Sequence, residues 1–304
     1  ICSSSASSSC ASRFKFCGVL GDPAIHPQFA DMIEYLLQHG GRTSISTNGA
    51  VGSVDMWRRV GSLANQYHKT FFIQWCIDGH KETNHIYRVN TKWNVLERNI
   101  NAYCETVGKH TTRAQWVFIV FDHNEHELDI AKQHAERLGF KFATRTGMRN
   151  SYNNWVAELG KKNNKQKKVI TTTGDKEHKR KDEVYKLDKL IANNEVDNII
   201  INTISCKYVH EGEIFIGSNL SMWPCCFLYD SKFKNRENIV EKLSEYTTGW
   251  NSLREHSIEE IMQHPWYDKV LEESWNPTHN KHMKRCIRTC AYNKAYQNVL
   301  VEQK

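Results

Sequence analysis

Residues 70–79 have the sequence TFFIQWCIDG, an apolar run that ends in an Asp-Gly pair. The β-branched and aromatic residues of 70–77 predict a strand, and Asp78-Gly79 predicts the turn that ends it. The segment before it has the same form, because Thr43 to Thr47 leads directly into Asn48-Gly49. Two strands that each end in a polar turn, with a helical pattern between them, indicate parallel strands joined by a right-handed crossover.

The same alternation of strand and helix extends over the first half of the chain. It predicts a parallel α/β sheet, and by itself it allows either a barrel or an open, doubly wound sheet. Further strands are predicted at residues 13–17, 115–121 and 140–144, and helices at residues 27–39, from Ser53 onward, at 92–107 and at 125–138.

Polar or glycine-containing motifs follow these predicted strands, at the point where each strand ends. The carboxyl ends of parallel strands meet at one edge of a sheet, and this edge is where such folds bind ligands. Each motif alone is an ordinary turn, but their repetition favours one shared site. The motifs are Gly21-Asp22-Pro23, Thr47-Asn48-Gly49, Asp78-Gly79, His123-Asn124 and Arg145-Thr146.

Taken together, these motifs resemble the core of radical S-adenosylmethionine (SAM) enzymes. Phe16 to Pro23 resembles the glycine-rich loop after the second strand of that family, and Ile45 to Gly49 resembles its third-strand ending. Cys76 to Gly79, followed by His85 and Arg88, is similar to the fourth strand and its His-x-x-Arg. Phe118 to Asn124 is similar to the fifth strand.

The resemblance implies a partial (β/α)6 TIM-like barrel that binds SAM. In the family, the glycine-rich loop holds the amino group of SAM, the region of Arg88 contacts its ribose and carboxylate, and the fifth strand lies against its adenine. The implied SAM contacts in this sequence are Gly21, Asp22, Pro23, Thr47, Asn48, Asp78, Arg88 and Asn124.

Five cysteines lie in the second half of the chain, at Cys206, Cys225, Cys226, Cys286 and Cys290. Four thiolates brought together hold zinc or an iron–sulfur cluster, and buried free thiols are the remaining alternative. The layout, with Pro-Cys-Cys after a predicted hairpin at residues 213–223, is similar to the SPASM or shorter twitch extensions of radical SAM proteins. That resemblance implies one auxiliary [4Fe–4S] cluster. Neighbouring side chains of an extended segment point in opposite directions, so only one of Cys225 and Cys226 is expected to be a ligand.

The sequence departs from the family at the radical-generating cluster. Cys-x-x-x-Cys-x-x-Cys does not occur, and Cys2, Cys10 and Cys17 are spaced by eight and seven residues. One interpretation is that Cys2 is the third cysteine of the motif, in a chain truncated before it and shortened after it. The other interpretation is that the protein has lost this cluster.

Three regions are expected: a radical SAM core at residues 1–148, a basic linker and helix at 149–198, and a small α+β, SPASM/twitch-like domain at 199–304. The resemblance implies an oxidoreductase that cleaves SAM reductively to a 5′-deoxyadenosyl radical and abstracts hydrogen from a peptide or protein. A sugar, nucleoside or cofactor precursor is the alternative substrate, and an inactive SAM-binding protein is the alternative to an enzyme. An electron donor such as flavodoxin or ferredoxin is the implied partner.

Charge and hydropathy limit the other classes of function. The net charge is +7, and Lys161 to Lys181 contains nine of the basic residues. This segment has no aromatic residues to stack on bases, so a solvated loop is favoured over a nucleic-acid patch. There is no run of eighteen apolar residues and no secretion signal, so we expect a cytoplasmic protein without membrane spans or disulfides.

Overall fold

The computed structural model describes residues 12–18, 21–146, 204–229 and 249–275, together with Cys286 and Cys290. The chain divides into two compact units, Ile1–Gly174 and Asp175–Lys304. Several predicted features lie outside the described residues. They are the linker at 149–198, the basic segment at 161–181, Cys2 and the first five residues of a strand expected at 199–204. No helix of the described part is long and apolar enough to cross a membrane.

The first unit contains a five-stranded parallel sheet. Each predicted strand of the first half is present to within about two residues of its expected bounds. The strands are β1 (Arg13–Phe16), β2 (Arg42–Thr47), β3 (Phe71–Cys76), β4 (Ala114–Val120) and β5 (Lys141–Thr146). The helices are α1 (Phe29–Gln38), α2 (Val54–Gln66), α3 (Asn84–Tyr87), α4 (Trp93–Val107) and α5 (Leu128–Arg137).

The order of the strands decides between the two sheet types that the sequence allowed. Neighbours in the sheet are neighbours in the chain, in the order β1-β2-β3-β4-β5. A doubly wound sheet reverses its strand order at a switch point, whereas a barrel adds each new strand to the same edge. The sheet is therefore a partial barrel, as the predicted fold class requires.

The two faces of this sheet have different chemistry. Ile45, Ile73 and Trp75 are buried, and the ring of Trp75 lies 4.9 Å from Trp57 on α2 and 5.5 Å from Tyr103 on α4. The alternating residues face away from these helices and are polar: Ser46 donates to Gln74 and Gln74 donates to Gln115, at 3.2 and 3.0 Å. The period of two in the strands thus separates an apolar helix-covered face from a polar, half-buried one.

Two helix starts differ from the sequence-based expectation. Pro27 was predicted in the first turn of a helix, but α1 begins at Phe29. Pro27 instead lies in a turn closed by the bond from the Phe29 N–H to the His26 carbonyl, at 3.0 Å. The helix predicted at 125–138 begins with a 3₁₀ turn, Glu125–Glu127, before α5.

The second unit contains short elements around an aromatic core. The predicted hairpin is present as β6 (Phe215–Ile216) paired antiparallel with β7 (Met222–Trp223). The helices in the described part of this unit include α6 (Lys207–Glu211), α7 (Ile258–Met262) and α8 (Leu271–Glu273), with a π-helical turn at Trp266–Val270. Ser257 caps α7 and forms a capping box with Glu260. Trp266 packs against both Trp250 and Trp223, with ring centroids 5.4 and 5.9 Å apart.

Candidate functional site

The carboxylate of Asp22 joins the loop after β1 to the end of β2. It accepts hydrogen bonds from the N–H of Ala24 at 3.0 Å, the hydroxyl of Thr47 at 2.9 Å and the N–H of Asn48 at 2.6 Å. Burial raises the pKa of Asp22, while these hydrogen bonds act in the opposite direction. Three of the residues predicted to bind SAM, Asp22, Thr47 and Asn48, are therefore in direct contact.

A second carboxylate, Asp78, joins the end of β3 to its neighbours. Its side chain is 0% exposed and pairs with the Arg88 guanidinium at 2.6 Å, while the Arg88 side chain as a whole is 27% exposed. The N–H of Ile119 donates to the other carboxylate oxygen, also at 2.6 Å. Arg88 thus neutralises a charge that has no access to water.

Asn124 is fully occupied by the backbone around Asp78. Its side-chain amide donates to the carbonyls of Asp78 and Ile119, both at 2.9 Å, and its side-chain oxygen accepts from the N–H of Phe121 at 2.7 Å. The residue is 0% exposed. The structure therefore gives Asn124 the task of holding the ends of β3 and β4 together, and its predicted contact with SAM stays a prediction.

The thiol of Cys76 is influenced by the charged side chains that follow the strands. Burial raises the pKa of Cys76, Arg88 and Arg145 lower it, and Asp78 and Asp22 raise it further. These four charged residues lie near the ends of β1, β3 and β5, so the ends of these strands share one edge of the sheet. The sequence motifs do not mark Cys76 as a site residue, although its place two residues before Asp78 puts it on the polar face.

An aromatic group borders this edge beyond Asp78. Tyr87 and Phe121 are buried with ring centroids 4.6 Å apart, and His123 stacks on Phe121 at 5.3 Å. Ile119 packs against the first two. The Nε2 atom of His123 is buried without a hydrogen-bond partner. The edge therefore offers an apolar surface beside the charged residues, as a heterocyclic base requires.

Below the loop that follows β3, two histidines form a hydrogen-bonded pair. His80 Nε2 and His134 Nδ1 are 3.1 Å apart, and the His80 ring lies 4.4 Å from Trp93. The Glu127 carboxylate accepts from the N–H of His80 at 2.7 Å and from the hydroxyl of Thr83. One ring nitrogen must donate and the other must accept, so the pair requires at least one neutral ring.

We expect this pair to make the first unit less stable below neutral pH. Burial lowers the pKa of both His80 and His134, and Arg137 lowers both further. Lys81 also lowers the pKa of His80, whereas Glu127 raises it. Glu97 raises the pKa of both rings. A histidine whose folded pKa lies below its unfolded value contributes stability above about pH 6.5, and this is lost as the pH falls. The thermal midpoint should therefore drop more between pH 7.5 and 5.5 in wild type than in His134→Gln. Equal drops would contradict this account.

In the second unit, four of the five predicted cysteine ligands influence one another's ionisation. Burial raises the pKa of Cys286 well above its ordinary value, and Cys225, Cys290 and Cys206 raise it further. Cys206 and Cys286 are each 8% exposed, and none of the described cysteines is in a disulfide. Within the described ranges, no three His, Cys, Asp or Glu side chains form a group that could hold a metal ion. The predicted ligand set therefore stays a prediction.

The pKa of Cys225, the first cysteine of the Cys225-Cys226 pair, responds to two of the other thiols. Cys290 and Cys206 raise the pKa of Cys225, in addition to burial, whereas the backbone N–H groups of Leu228 and Phe227 lower it. Residues 226–229 are helical, so Cys225 lies at a helix N-terminus, where a thiolate is stabilised.

Two aromatic side chains influence these thiols or are influenced by them. Burial raises the pKa of Tyr267, and Tyr208 and Cys225 raise it further. Trp275 acts as a hydrogen-bond donor to Cys286 and opposes the effect of burial on the pKa of that thiol. A thiolate or a cluster sulfide would accept a hydrogen bond more strongly than a neutral thiol, so these donors are compatible with the predicted cluster.

Neither a family model nor a curated protein sequence matches the chain. Solved structures match over most of its length. Native anSMEcpe with bound AdoMet and the Cp18Cys peptide is 12% identical, the match covers 92% of this chain and 76% of that chain, and the TM-score is 0.42. Streptococcus suis SuiB bound to S-adenosylmethionine is also 12% identical, with 89% and 59% covered and a TM-score of 0.44.

These scores are low, so the fold assignment rests on the strand order of the chain itself. The predicted α/β class is confirmed by the five parallel strands in sequential order and the small antiparallel pair that follows them. The chain has structural matches over most of its length to the radical SAM SPASM enzymes anSMEcpe and SuiB, at low sequence identity.

Proposed function

We propose that this chain supplies the SAM site and the auxiliary-cluster site of a radical SAM oxidoreductase. The observation that carries the proposal is the convergence of Asp22, Thr47 and Asn48 with Asp78 and Arg88 at one edge of the sheet. This edge combines a carboxylate-braced loop, the Arg88 guanidinium and an apolar aromatic cluster. SAM has an amino group, a carboxylate and an adenine, which match these three features.

Each feature has a defined task in this proposal. The loop at Gly21-Asp22-Pro23, braced by Asp22 against the end of β2, binds the amino group through its backbone. The Arg88 guanidinium pairs with the SAM carboxylate while Asp78 fixes its orientation. Phe121 and Tyr87 border the adenine. Asn124 holds the ends of β3 and β4 at the spacing that this surface requires.

In the second unit, Cys206, Cys225, Cys286 and Cys290 hold one auxiliary [4Fe–4S] cluster, with Cys225 rather than Cys226 as the fourth ligand. Such a cluster supplies one-electron chemistry when bound. The residues of this chain do not fit the radical-generating cluster in the same way, because the Cys-x-x-x-Cys-x-x-Cys motif is absent from the sequence and Cys2 lies outside the described residues.

A peptide or protein is the proposed substrate, as the family resemblance of the sequence implies. The polar face of the sheet supports it, because Ser46, Gln74 and Gln115 form a half-buried row of hydroxyl and amide groups. Backbone amides of a peptide can pair with such a row. A sugar or nucleoside is rich in the same kinds of groups, so a comparison of substrate classes is required.

Titration calorimetry on anaerobically reconstituted protein tests the SAM site. We expect saturable SAM binding, and we expect Arg88→Lys to weaken it by roughly tenfold, because a lysine keeps a counter-charge for Asp78 but loses the planar fork. Arg59→Lys is the matched control, since Arg59 pairs with Asp31 and Glu34 on the helix surface. No SAM affinity in cluster-loaded wild type would contradict the site.

The second candidate is a SAM-binding protein without radical chemistry, which the missing cysteine motif favours. Dithionite-reduced protein with its natural N-terminal sequence distinguishes the two, because only an enzyme releases 5′-deoxyadenosine. Release that increases with a peptide but not with a sugar or nucleoside supports the leading proposal. Tight SAM binding without release, despite a complete iron content, supports the second candidate.

A further inference from the structure

Four polar residues of the segment that follows β3 form a closed ring of hydrogen bonds. The side-chain oxygen of Asn84 accepts from the N–H of Asp78 at 3.1 Å, and its amide donates to the hydroxyl of Thr91, also at 3.1 Å. That hydroxyl donates to the carbonyl of Arg88 at 2.7 Å, and the Arg88 guanidinium returns to the Asp78 carboxylate at 2.6 Å. Each of the four residues is therefore bonded to two others of the ring.

The same ring holds the backbone of Arg88 from both sides. The N–H of Arg88 donates to the carbonyl of Asn84 at 2.9 Å. The carbonyl of Arg88 accepts from the N–H of Thr91 at 3.0 Å as well as from its hydroxyl. Asn90, inside this turn, has a φ of 70°, in the left-handed region that Asn adopts more readily than most residues. The position from which the Arg88 side chain extends is thus fixed by named partners.

The α3 helix by itself could not hold Arg88 in this way. It has four residues, and a single turn is not stable without contacts from outside the helix. The last carbonyls of a helix also lack partners within it, and the hydroxyl of Thr91 supplies one to Arg88. Asn84, which is buried, connects this end of the turn to the backbone of Asp78. Asn84 and Thr91 therefore couple the position of the helix end to the end of β3.

We propose that Asn84 and Thr91 are positioning residues of the SAM site, which hold the Arg88 guanidinium where it pairs with the SAM carboxylate. This inference rests on the proposed function of the first unit. The contacts of Asp78 with the guanidinium involve Nε and Nη2, and the Nη1 donors serve the second carboxylate. Asn84 and Thr91 act on the ligand only through Arg88, so their effect is confined to the carboxylate of SAM.

Calorimetry on the reconstituted full chain, with SAM and with decarboxylated SAM, tests the proposal, because the second ligand lacks only the carboxylate. Thr91→Val removes the hydroxyl and keeps the shape of the side chain. We expect it to weaken SAM binding by about fivefold, the usual effect of one lost hydrogen bond, and to leave the affinity for decarboxylated SAM unchanged. A merely structural role of Thr91 would weaken both ligands alike. Thr91→Ser keeps the hydroxyl, so it should bind both ligands as wild type does.

Thr106→Val is the matched control. The hydroxyl of Thr106 also donates to the carbonyl of an arginine, Arg58, at 2.7 Å, but this bond joins α4 to α2 and is not part of the ring. The control variant should therefore bind SAM and decarboxylated SAM with the affinities of wild type.

Two results would overturn the positioning role and leave the SAM site in place: an unchanged SAM affinity in Thr91→Val, or an equal loss for both ligands. Wild type that binds the two ligands equally well would instead overturn the contact between Arg88 and the SAM carboxylate, and this inference with it. Wild type that binds neither ligand would overturn the proposed function. If Thr91→Val does not fold, Thr91→Ala provides the same comparison, because its smaller side chain also lacks the hydroxyl.

Discussion

Replacing both Cys286 and Cys290 with Ala should leave the reconstituted protein without its iron–sulfur cluster. Wild type should show a broad absorbance near about 400 nm and contain both iron and sulfide. The double variant should lose the absorbance together with the iron and sulfide. The two proposed ligands that remain, Cys206 and Cys225, cannot hold a [4Fe–4S] cluster by themselves. The second unit should also lose stability, since metal binding and folding are coupled.

The control removes the same number of thiols elsewhere. Cys104 lies on α4 in the first unit, and Cys226 follows the proposed ligand Cys225. Protein with Cys104→Ala and Cys226→Ala should therefore keep its absorbance and its iron. Loss of the cluster in this control, or zinc bound tightly without sulfide in wild type, would count against the proposed ligand set.

Replacing Arg88 with Ala should destabilise the first unit by about 3–5 kcal/mol, the usual cost of leaving one member of a buried ion pair without its partner. The Asp78 carboxylate is 0% exposed and would lose its counter-charge, although the hydrogen bond from Ile119 would stay. Hydrogen exchange of peptides from β3 and β4 measures this loss in the first unit alone.

Two further variants separate the buried pair from a general effect of removing an arginine. Arg59→Ala removes exposed ion pairs with Asp31 and Glu34, so it should cost no more than about 1 kcal/mol. Adding Asp78→Asn to Arg88→Ala should recover part of the lost protection, because no charge then stays buried. Similar exchange in Arg88→Ala and wild type would show that Asp78 does not depend on Arg88.

In the proposed site, Arg88 would act on SAM binding in two ways, by direct contact and by its hold on Asp78. For this reason, the affinity lost in Arg88→Ala overstates the direct contact, and Arg88→Lys is the better variant for the SAM titration. The pairing with Asp78 could not be predicted from the sequence. The two residues are ten positions apart, and the α3 helix between them turns the chain so that the guanidinium returns to the end of β3.

Much of the first unit could be predicted from the sequence because its signals are local. Alternating burial along β2 and β3 reflects the two-residue period of a strand, and the glycine turns mark the strand ends. The convergence of Asp22 with Thr47 and Asn48 follows from parallel strands that end at one edge.

The tertiary structure decided what depends on contacts between distant segments. Strand order, which selects the partial barrel, is a set of long-range pairings that periodicity does not encode. Which of Cys225 and Cys226 is a ligand stays a prediction, because the answer depends on which thiol faces the distant cysteines. The sequence by itself determined the elements and the chemistry at their ends, whereas the tertiary structure decided which side chains meet, because a local pattern sets the direction of a side chain but not its partner.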